Sequence, residues 1–300
     1  MFHNALQTVF PALKKHPFLP EICRIAQSAG DIIKPHFMLG VSVERKDDGS
    51  PVTKADKEAD AYIVEQLKAF YPEIPVVSEE GAKPDVSKNH MFWLVDGLDG
   101  TKSFVKGGKN WTVNIALIVD GKPQFGVVYS PENGVMYAGD VGAGAFKIEK
   151  KDTNQESLNR QDRFSVKQIH TRPVPKDGAT VILSHHHKEG ELLKLLPGVN
   201  IKETINASSS IKFCKIAEGA ADIYPRSGPT MEWDTAAGQA VLEAAGGVML
   251  DEHSKLFSYG KSGFKNGAFS VYGQAPVQHE TVAKKVKIGG QAGSSGKLSR

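Results

Sequence analysis

Helical and strand-like patterns alternate along this chain, and they predict a fold of the α/β class. Three stretches carry the prediction. Pro20 to Phe37 sets Ile22, Ile25, Ala26, Ala29, Ile32 and Ile33 at helical spacing, with Pro20 near the start. Phe92-Trp93-Leu94-Val95 is an unbroken apolar run, read as a buried central strand or a short buried helix. Asp234 to Ala245 lines Ala237, Ala240, Val241 and Ala244 along one helical stripe, with Asp234 as its cap and Gly246-Gly247 as its stop.

The remaining elements fall between these in order. Val41 to Arg45 is strand-like, and the turn residues Asp47 to Pro51 follow. Thr53 to Phe70 reads as a second helix, striped by Ala59, Ile63, Leu67 and Phe70. Thr53 stands at its N-cap and Asp56 three residues on. Val76-Val77 is a short strand. Val113 to Val119, Phe125 to Tyr129 and Val135 to Ala138 read as a meander punctuated by Asp120-Gly121 and Asn133-Gly134. Lys150 to Arg163 is polar and charged, a linker or a surface excursion. Beyond it Val181 to Leu183 reads as a strand, Glu189 to Leu196 and Ser210 to Gly219 as helices, and Ile223-Tyr224 and Val248 to Leu250 as strands. Lys284 to Arg300 is rich in Lys, Gly and Ser and reads as a flexible tail.

Composition narrows the function. The 300 residues are 40% apolar and 24% charged, which suits a packed globular protein and argues against disorder. A net charge of +3 is too small to imply a nucleic acid polymer as partner, yet it permits a basic pocket for a small anion. Cys23 and Cys214 form neither a C-x-x-C pair nor a zinc set, so a reducing compartment is expected. Met1 to Lys15 lacks the pattern of a signal peptide, and no apolar run is long enough for a membrane span. The expected location is the cytoplasm.

Three acidic stations adjoin apolar strands or helix starts: Val77-Ser78-Glu79-Glu80-Gly81, Trp93-Leu94-Val95-Asp96-Gly97-Leu98-Asp99-Gly100-Thr101, and Glu232-Trp233-Asp234-Thr235-Ala236-Ala237-Gly238. An acid at a strand end is often only a solvated turn residue. Asp234 also reads as a simple cap, and Asp56 as a helix-start charge. Asp96 and Asp99 are harder to set aside, because two acids on one turn repel each other unless a positive charge lies between them. Hard divalent ions take oxygen ligands, and a pair of them can clamp the attacking and leaving oxygens of phosphate hydrolysis.

With these motifs the chain resembles the lithium-sensitive, metal-dependent phosphatases typified by inositol monophosphatase and fructose-1,6-bisphosphatase. Their signature is W-x-[VI]-D-P-[LI]-D-G-T with a later W-D-x-A-[AG], and Ser78-Glu79-Glu80 also matches. The similarity covers roughly residues 20–273. The resemblance implies an α-β-α-β-α layered sandwich of the sugar-phosphatase type. It has an N-terminal α+β part (residues 1–150) holding most metal ligands, a C-terminal α/β substrate part (151–275), and a tail (276–300). Within the family, Ser50 to Asp56, Ser208 to Cys214 and Tyr224 to Thr230 are most similar to members acting on 3',5'-bisphosphate nucleotides.

The resemblance also implies roles. Glu79, Asp96 and the Leu98 carbonyl hold a first magnesium ion. Asp96, Asp99 and Asp234 hold a second, and two or three ions are expected in all. Thr101, oriented by Asp56, positions and deprotonates the attacking water. Gly100 and Thr101 N–H groups receive the phosphate, and Glu80 supports the ligands from behind. The implied reaction is hydrolysis of the 3'-phosphate of adenosine 3',5'-bisphosphate, or of its 5'-phosphosulfate analogue, to AMP and phosphate or the corresponding products. Ser209, Ser210, Lys212 and Arg226 are the substrate candidates, Arg226 for a second phosphate. Lys212 reads equally as a solvated helix face, and the serines as a cap. The oligomeric state is open between monomer and homodimer.

Two departures stand out. Gly97 replaces the usual Pro, which implies a freer loop and somewhat weaker metal binding. Ser184-His185-His186-His187 stands where relatives carry an arginine between serines, and three adjacent histidines read as a surface or substrate-side feature. The rival readings are an inositol monophosphatase or fructose-1,6-bisphosphatase, a haloacid-dehalogenase-type phosphatase with an aspartyl nucleophile, and a nucleotide-sensing protein. The D-x-x-D-G-T spacing differs from the D-x-D-x-T of the dehalogenase type.

Overall fold

The structure, a computed structural model, describes residues 18–39, 43–46, 49–150, 164–184, 190 and 196–274. His185, His186 and His187, the 151–163 segment, nearly all of the 189–196 helix reading and the 284–300 tail lie outside the described residues.

Helix α1 (Leu19–Leu39) and helix α2 (Lys54–Phe70) cover one face of a seven-stranded sheet. Between them, β1 (Val43–Arg45) and β2 (Pro51–Thr53) form a short antiparallel pair. The α2 start is the predicted capping box: Asp56 Oδ2 accepts from Thr53 N at 2.8 Å and also from Thr53 Oγ1.

The large sheet begins with β3 (Val76–Ser78) parallel to β4 (Met91–Asp99). It continues as an antiparallel meander of β5 (Thr112–Val119), β6 (Lys122–Ser130), β7 (Val135–Asp140), β8 (Gly144–Lys150) and β9 (Phe164–Ile169). The five-residue helix α3 (Thr101–Val105) interrupts the path from β4 to β5. The apolar run in β4 is a strand because each of its faces meets a helical layer. Trp93 and Val95 pack with α1 and α2, while Phe92 and Leu94 pack toward the other side.

That other side holds α4 (Ile211–Ala217) and α5 (Glu232–Ala244). Helix α5 lies flush on the sheet, and β-carbons added at Gly126 and Gly139 would come within 2.6 Å of Ala237 O and 2.5 Å of Val241 Cα. A second, five-stranded sheet packs on the outer face of α4 and α5. It comprises β10 (Ala179–Ser184), β11 (Ile201–Ala207), β12 (Ile223–Arg226), β14 (Val248–Asp251) and β16 (Phe269–Tyr272), in the order β11-β10-β12-β16-β14. The short strands β13 (Thr230–Met231) and β15 (Lys265–Asn266) pair beside it. The layers are therefore helix, sheet, helix, sheet among the described residues, consistent with the expected sandwich.

One expectation is corrected. Asp234 does not cap α5 from outside, because the helix begins at Glu232. Asp234 is its third residue, and its Oδ2 accepts from Met231 N at 2.8 Å. A carboxylate in the first turn satisfies a free N–H from within the helix just as a cap does from without. Seven strands had no sequence counterpart: β2, β8, β9, β11, β13, β15 and β16.

Candidate active site

The parallel pairing of β3 and β4 decides where the acids meet. Both strands end at the same sheet edge, so Glu79, just past β3, arrives beside Asp96 near the end of β4. Glu79 N donates to Val95 O at 3.1 Å, which fixes this approach. The β4–β5 register breaks between Asp96, opposite Asn114, and Asp99, opposite Thr112. This irregularity turns both aspartates toward one cleft. The first turn of α5 brings Asp234 to the same point. Oxygens of Glu79, Asp96 and Asp234 lie within 4.8 Å of one another, and Asp99 lines the same cleft, whose volume is about 280 Å³.

So many carboxylates in one buried place repel. Burial raises Asp96 well above the ordinary carboxylate range, and the charges of Glu79, Asp99, Asp234 and Asp56 raise it further. Asp234 is likewise raised well above its usual value by burial, then by Asp99 and Glu79. Burial raises Asp99, against the lowering influence of Lys212 and the Ser210 N–H. Asp96 Oδ1 accepts from Leu98 N at 2.9 Å, whereas its buried Oδ2 has no hydrogen-bond partner among the described residues. An unpartnered buried carboxylate oxygen facing other acids is the donor set a hard cation fits. The residues present therefore fit a divalent metal.

Thr101 and Asp56 form a hydrogen-bonded pair next to the acids. Thr101 Oγ1 donates to Asp56 Oδ1 at 2.7 Å and lies 3.2 Å from Leu98 O. The capping box of α2 holds the opposite Asp56 oxygen. Gly100 precedes Thr101 with φ +97°, a conformation glycine adopts without strain, and a β-carbon there would stand 3.0 Å from Asn110 O. Helix α3 thus starts immediately beside the carboxylates.

The C-terminal part supplies the cations. Lys212 is 4% exposed, so it is not a solvated helix face. Its Nζ donates to Ser209 O at 2.6 Å and lies 5.2 Å from the centre of the Tyr224 ring. Burial pushes its pKa down to about 8, with Asp99 acting the other way and Arg226 reinforcing the drop. Arg226 lines the cleft and donates to Gly228 O at 3.3 Å and Pro229 O at 3.4 Å. Ser209 lines the cleft, but Ser210 does not. Neither serine side chain caps α4: the Ser209 hydroxyl pairs with Thr112 Oγ1 at 2.8 Å, and Ser210 Oγ donates to Asn114 Oδ1 at 2.6 Å. Glu80 lies outside the cleft lining and pairs with Lys46.

Sequence reasoning missed Lys46, Asp60 and Asn114. Lys46 Nζ donates to Glu79 Oε1 at 2.6 Å. Burial pulls this ammonium down, and Glu79 and Glu80 more than offset the pull, leaving it above its ordinary value. Asp60 accepts from Ser78 Oγ at 2.8 Å and from Glu80 N at 3.4 Å, and burial pushes it up to about 6. Its signal was available: Asp60 follows Asp56 by four residues and so shares its helix face. Asn114 was also visible, as a lone amide inside the apolar strand Thr112–Val119.

Comparison with known proteins gives the family. The model of the inositol monophosphatase family matches residues 14–291, and the chain belongs to that family. Among its relatives, the 3'(2'),5'-bisphosphate nucleotidase CysQ of Salmonella typhimurium is 41% identical over 258 residues, covering 84% of this chain and 98% of the relative. CysQ of Escherichia coli (strain K12) is 40% identical over the same shares. The crystal structure of CysQ from Bacteroides thetaiotaomicron, 31% identical, superposes with a TM-score of 0.69 over 84% of this chain and 95% of that one.

Proposed function

We propose that the chain is a magnesium-dependent 3'(2'),5'-bisphosphate nucleotidase that removes the 3'-phosphate of adenosine 3',5'-bisphosphate. The carrying observation is that one cleft is lined by the acidic cluster, by Thr101 with Asp56 hydrogen-bonded to it, and by the cations Lys212 and Arg226. Relatives named for this activity are matched over nearly their whole length, which supports the substrate class.

Two or three magnesium ions suit an all-oxygen set made of Glu79, Asp96, the Leu98 carbonyl, Asp99 and Asp234. When bound, they supply Lewis-acid activation of water and charge neutralisation of the phosphate oxygens. The chain's own residues do the rest. Asp56 accepts the Thr101 hydroxyl proton in a hydrogen bond, so the lone pairs of Oγ1 face the cleft. They accept the proton of a water attacking phosphorus, and Asp56 is placed to relay it. Gly100 and Thr101 N–H groups hold the phosphate. Lys212 and Arg226 hold the second phosphate of the substrate, which a monophosphate sugar or inositol lacks. No side-chain nucleophile takes part.

The test is a phosphate-release panel over adenosine 3',5'-bisphosphate, its 5'-phosphosulfate analogue, inositol 1-phosphate and fructose 1,6-bisphosphate. The expected result is a kcat/KM at least about a hundredfold higher for the nucleotides than for inositol 1-phosphate, which lacks the second phosphate and so the discrimination of one charge-assisted contact set. A preference for inositol 1-phosphate would assign the chain to the family's other activity.

A further inference from the structure

We propose that Asn114 is a positioning residue for the Asp99 carboxylate, acting as the hub of a buried amide–hydroxyl network that ties this expected metal ligand to the start of α4. The proposal rests on the metal-site reading above and assigns a residue to which neither the sequence motifs nor the acidic cluster gives a role.

Asn114 sits on β5 directly opposite Asp96, with Thr112 opposite Asp99. Opposed residues of an antiparallel pair project to the same sheet face, so both polar side chains reach the carboxylates. Asn114 is 1% exposed, Thr112 0% and Ser210 1%. Ser210 Oγ donates to Asn114 Oδ1 at 2.6 Å and lies 2.9 Å from Thr112 Oγ1. Ser210 N donates to Asp99 Oδ2 at 2.8 Å, across the boundary between the two sheets. Asn114 Nδ2 is buried and has no hydrogen-bond partner among the described residues. Asn114 nonetheless lies beside the Asp99 carboxylate, together with Ser209, Ser210 and Lys212.

A buried donor left unpaired is costly, and strands seldom keep one without a use. Thr112 and Asn114 occupy a strand whose every residue from Thr112 to Ile118 is buried, where apolar side chains would pack at less expense. Ser209 supplies a further sign. Its φ of +53° is uncommon for a residue with a β-carbon. The Thr112 hydroxyl and the Lys212 ammonium, which meets Ser209 O, hold it there. The network thus presents the Ser210 N–H to one side of Asp99 and the Asn114 amide to another, fixing the carboxylate's rotation. Partners behind metal ligands commonly set affinity by this means.

The experiment is calorimetric titration of metal-free protein with Mg²⁺, for the parent, Asn114→Ala and Ser210→Ala, at a temperature where thermal melts show each to be folded. Asn114→Ala is expected to weaken Mg²⁺ binding by about 10–100-fold. Ser210→Ala frees the amide from its anchor but leaves the backbone N–H, so a loss of a few fold is expected. A purely structural role would lower Tm and leave the affinity of the folded protein unchanged. Parent-like affinity in both variants overturns the proposal while leaving the metal site standing. Absence of Mg²⁺ binding in the parent overturns the metal site and the proposal together. Should Asn114→Ala fail to fold, Ser210→Ala decides alone, and parent-like affinity in it overturns the proposal.

Discussion

Asp96 concentrates the conflict on which the site is built. It is 2% exposed, four other acids act on it, and one of its oxygens has no hydrogen-bond partner among the described residues. Without a cation this arrangement opposes folding; with one it becomes a binding site. Asp96→Asn therefore has two opposite consequences. It removes a charge from the cluster and raises the Tm of the metal-free protein by a few degrees, where about 1 kcal/mol corresponds to ~2–4 °C in a domain of this size. It also lowers turnover by more than about a hundredfold, because the amide is a poor ligand. Thermal melts and initial rates on the same preparations check both. Gly97 behaves differently from the simple expectation of a looser loop. A β-carbon there would lie 2.7 Å from Asp60 N and 3.1 Å from Asp60 Cα, both backbone atoms of α2. Restoring the family's proline in Gly97→Pro is expected to leave Tm at or below that of the parent. The usual gain of about 0.4–1 kcal/mol from a compatible proline is opposed by this contact. A clear rise in Tm would show that α2 can retreat.

At the scale of elements, α5 holds a charge that is independent of the site. Burial pushes Glu243 up to about 7 from an ordinary 4.5, with Gln239 Nε2 donating to it at 2.7 Å and Lys122 acting weakly the other way. Its folded pKa lies above its unfolded value, so the stability it contributes is full below about pH 4.5 and is lost as pH rises through 7. Glu243→Gln should match the parent near pH 4.5 and exceed it by roughly 2 kcal/mol above pH 7 in urea melts. Elements also explain what could be read in advance. The α2 capping box was legible because Thr53 and Asp56 act locally, within one turn. The acidic motifs were legible because β3, β4 and α5 each carry theirs in a short stretch. Strands β9 and β11 were not: β11 is a largely polar sheet edge, and β9 gains its meaning only by pairing with β8. Asn114 was overlooked because its partners, Ser210 and Asp99, are brought to it by tertiary structure alone.

At the scale of the molecule, the two sheets share the core around α4 and α5, which joins Phe92, Leu94 and Tyr137 of the large sheet to Tyr224, Met249 and Phe269 of the small one. Carboxylates on β4 and cations on α4 and β12 are therefore positioned by one body of packed side chains. The central claim is that this cleft uses divalent ions to hydrolyse one particular ester of a nucleotide bisphosphate. Following ³¹P resonances of adenosine 3',5'-bisphosphate during incubation with the protein tests it most directly, with Mg²⁺ and then with excess chelator. The account predicts loss of the 3'-phosphate signal, growth of inorganic phosphate and an intact 5'-phosphate, all arrested by the chelator. Release of the 5'-phosphate instead, or turnover indifferent to the chelator, would contradict it.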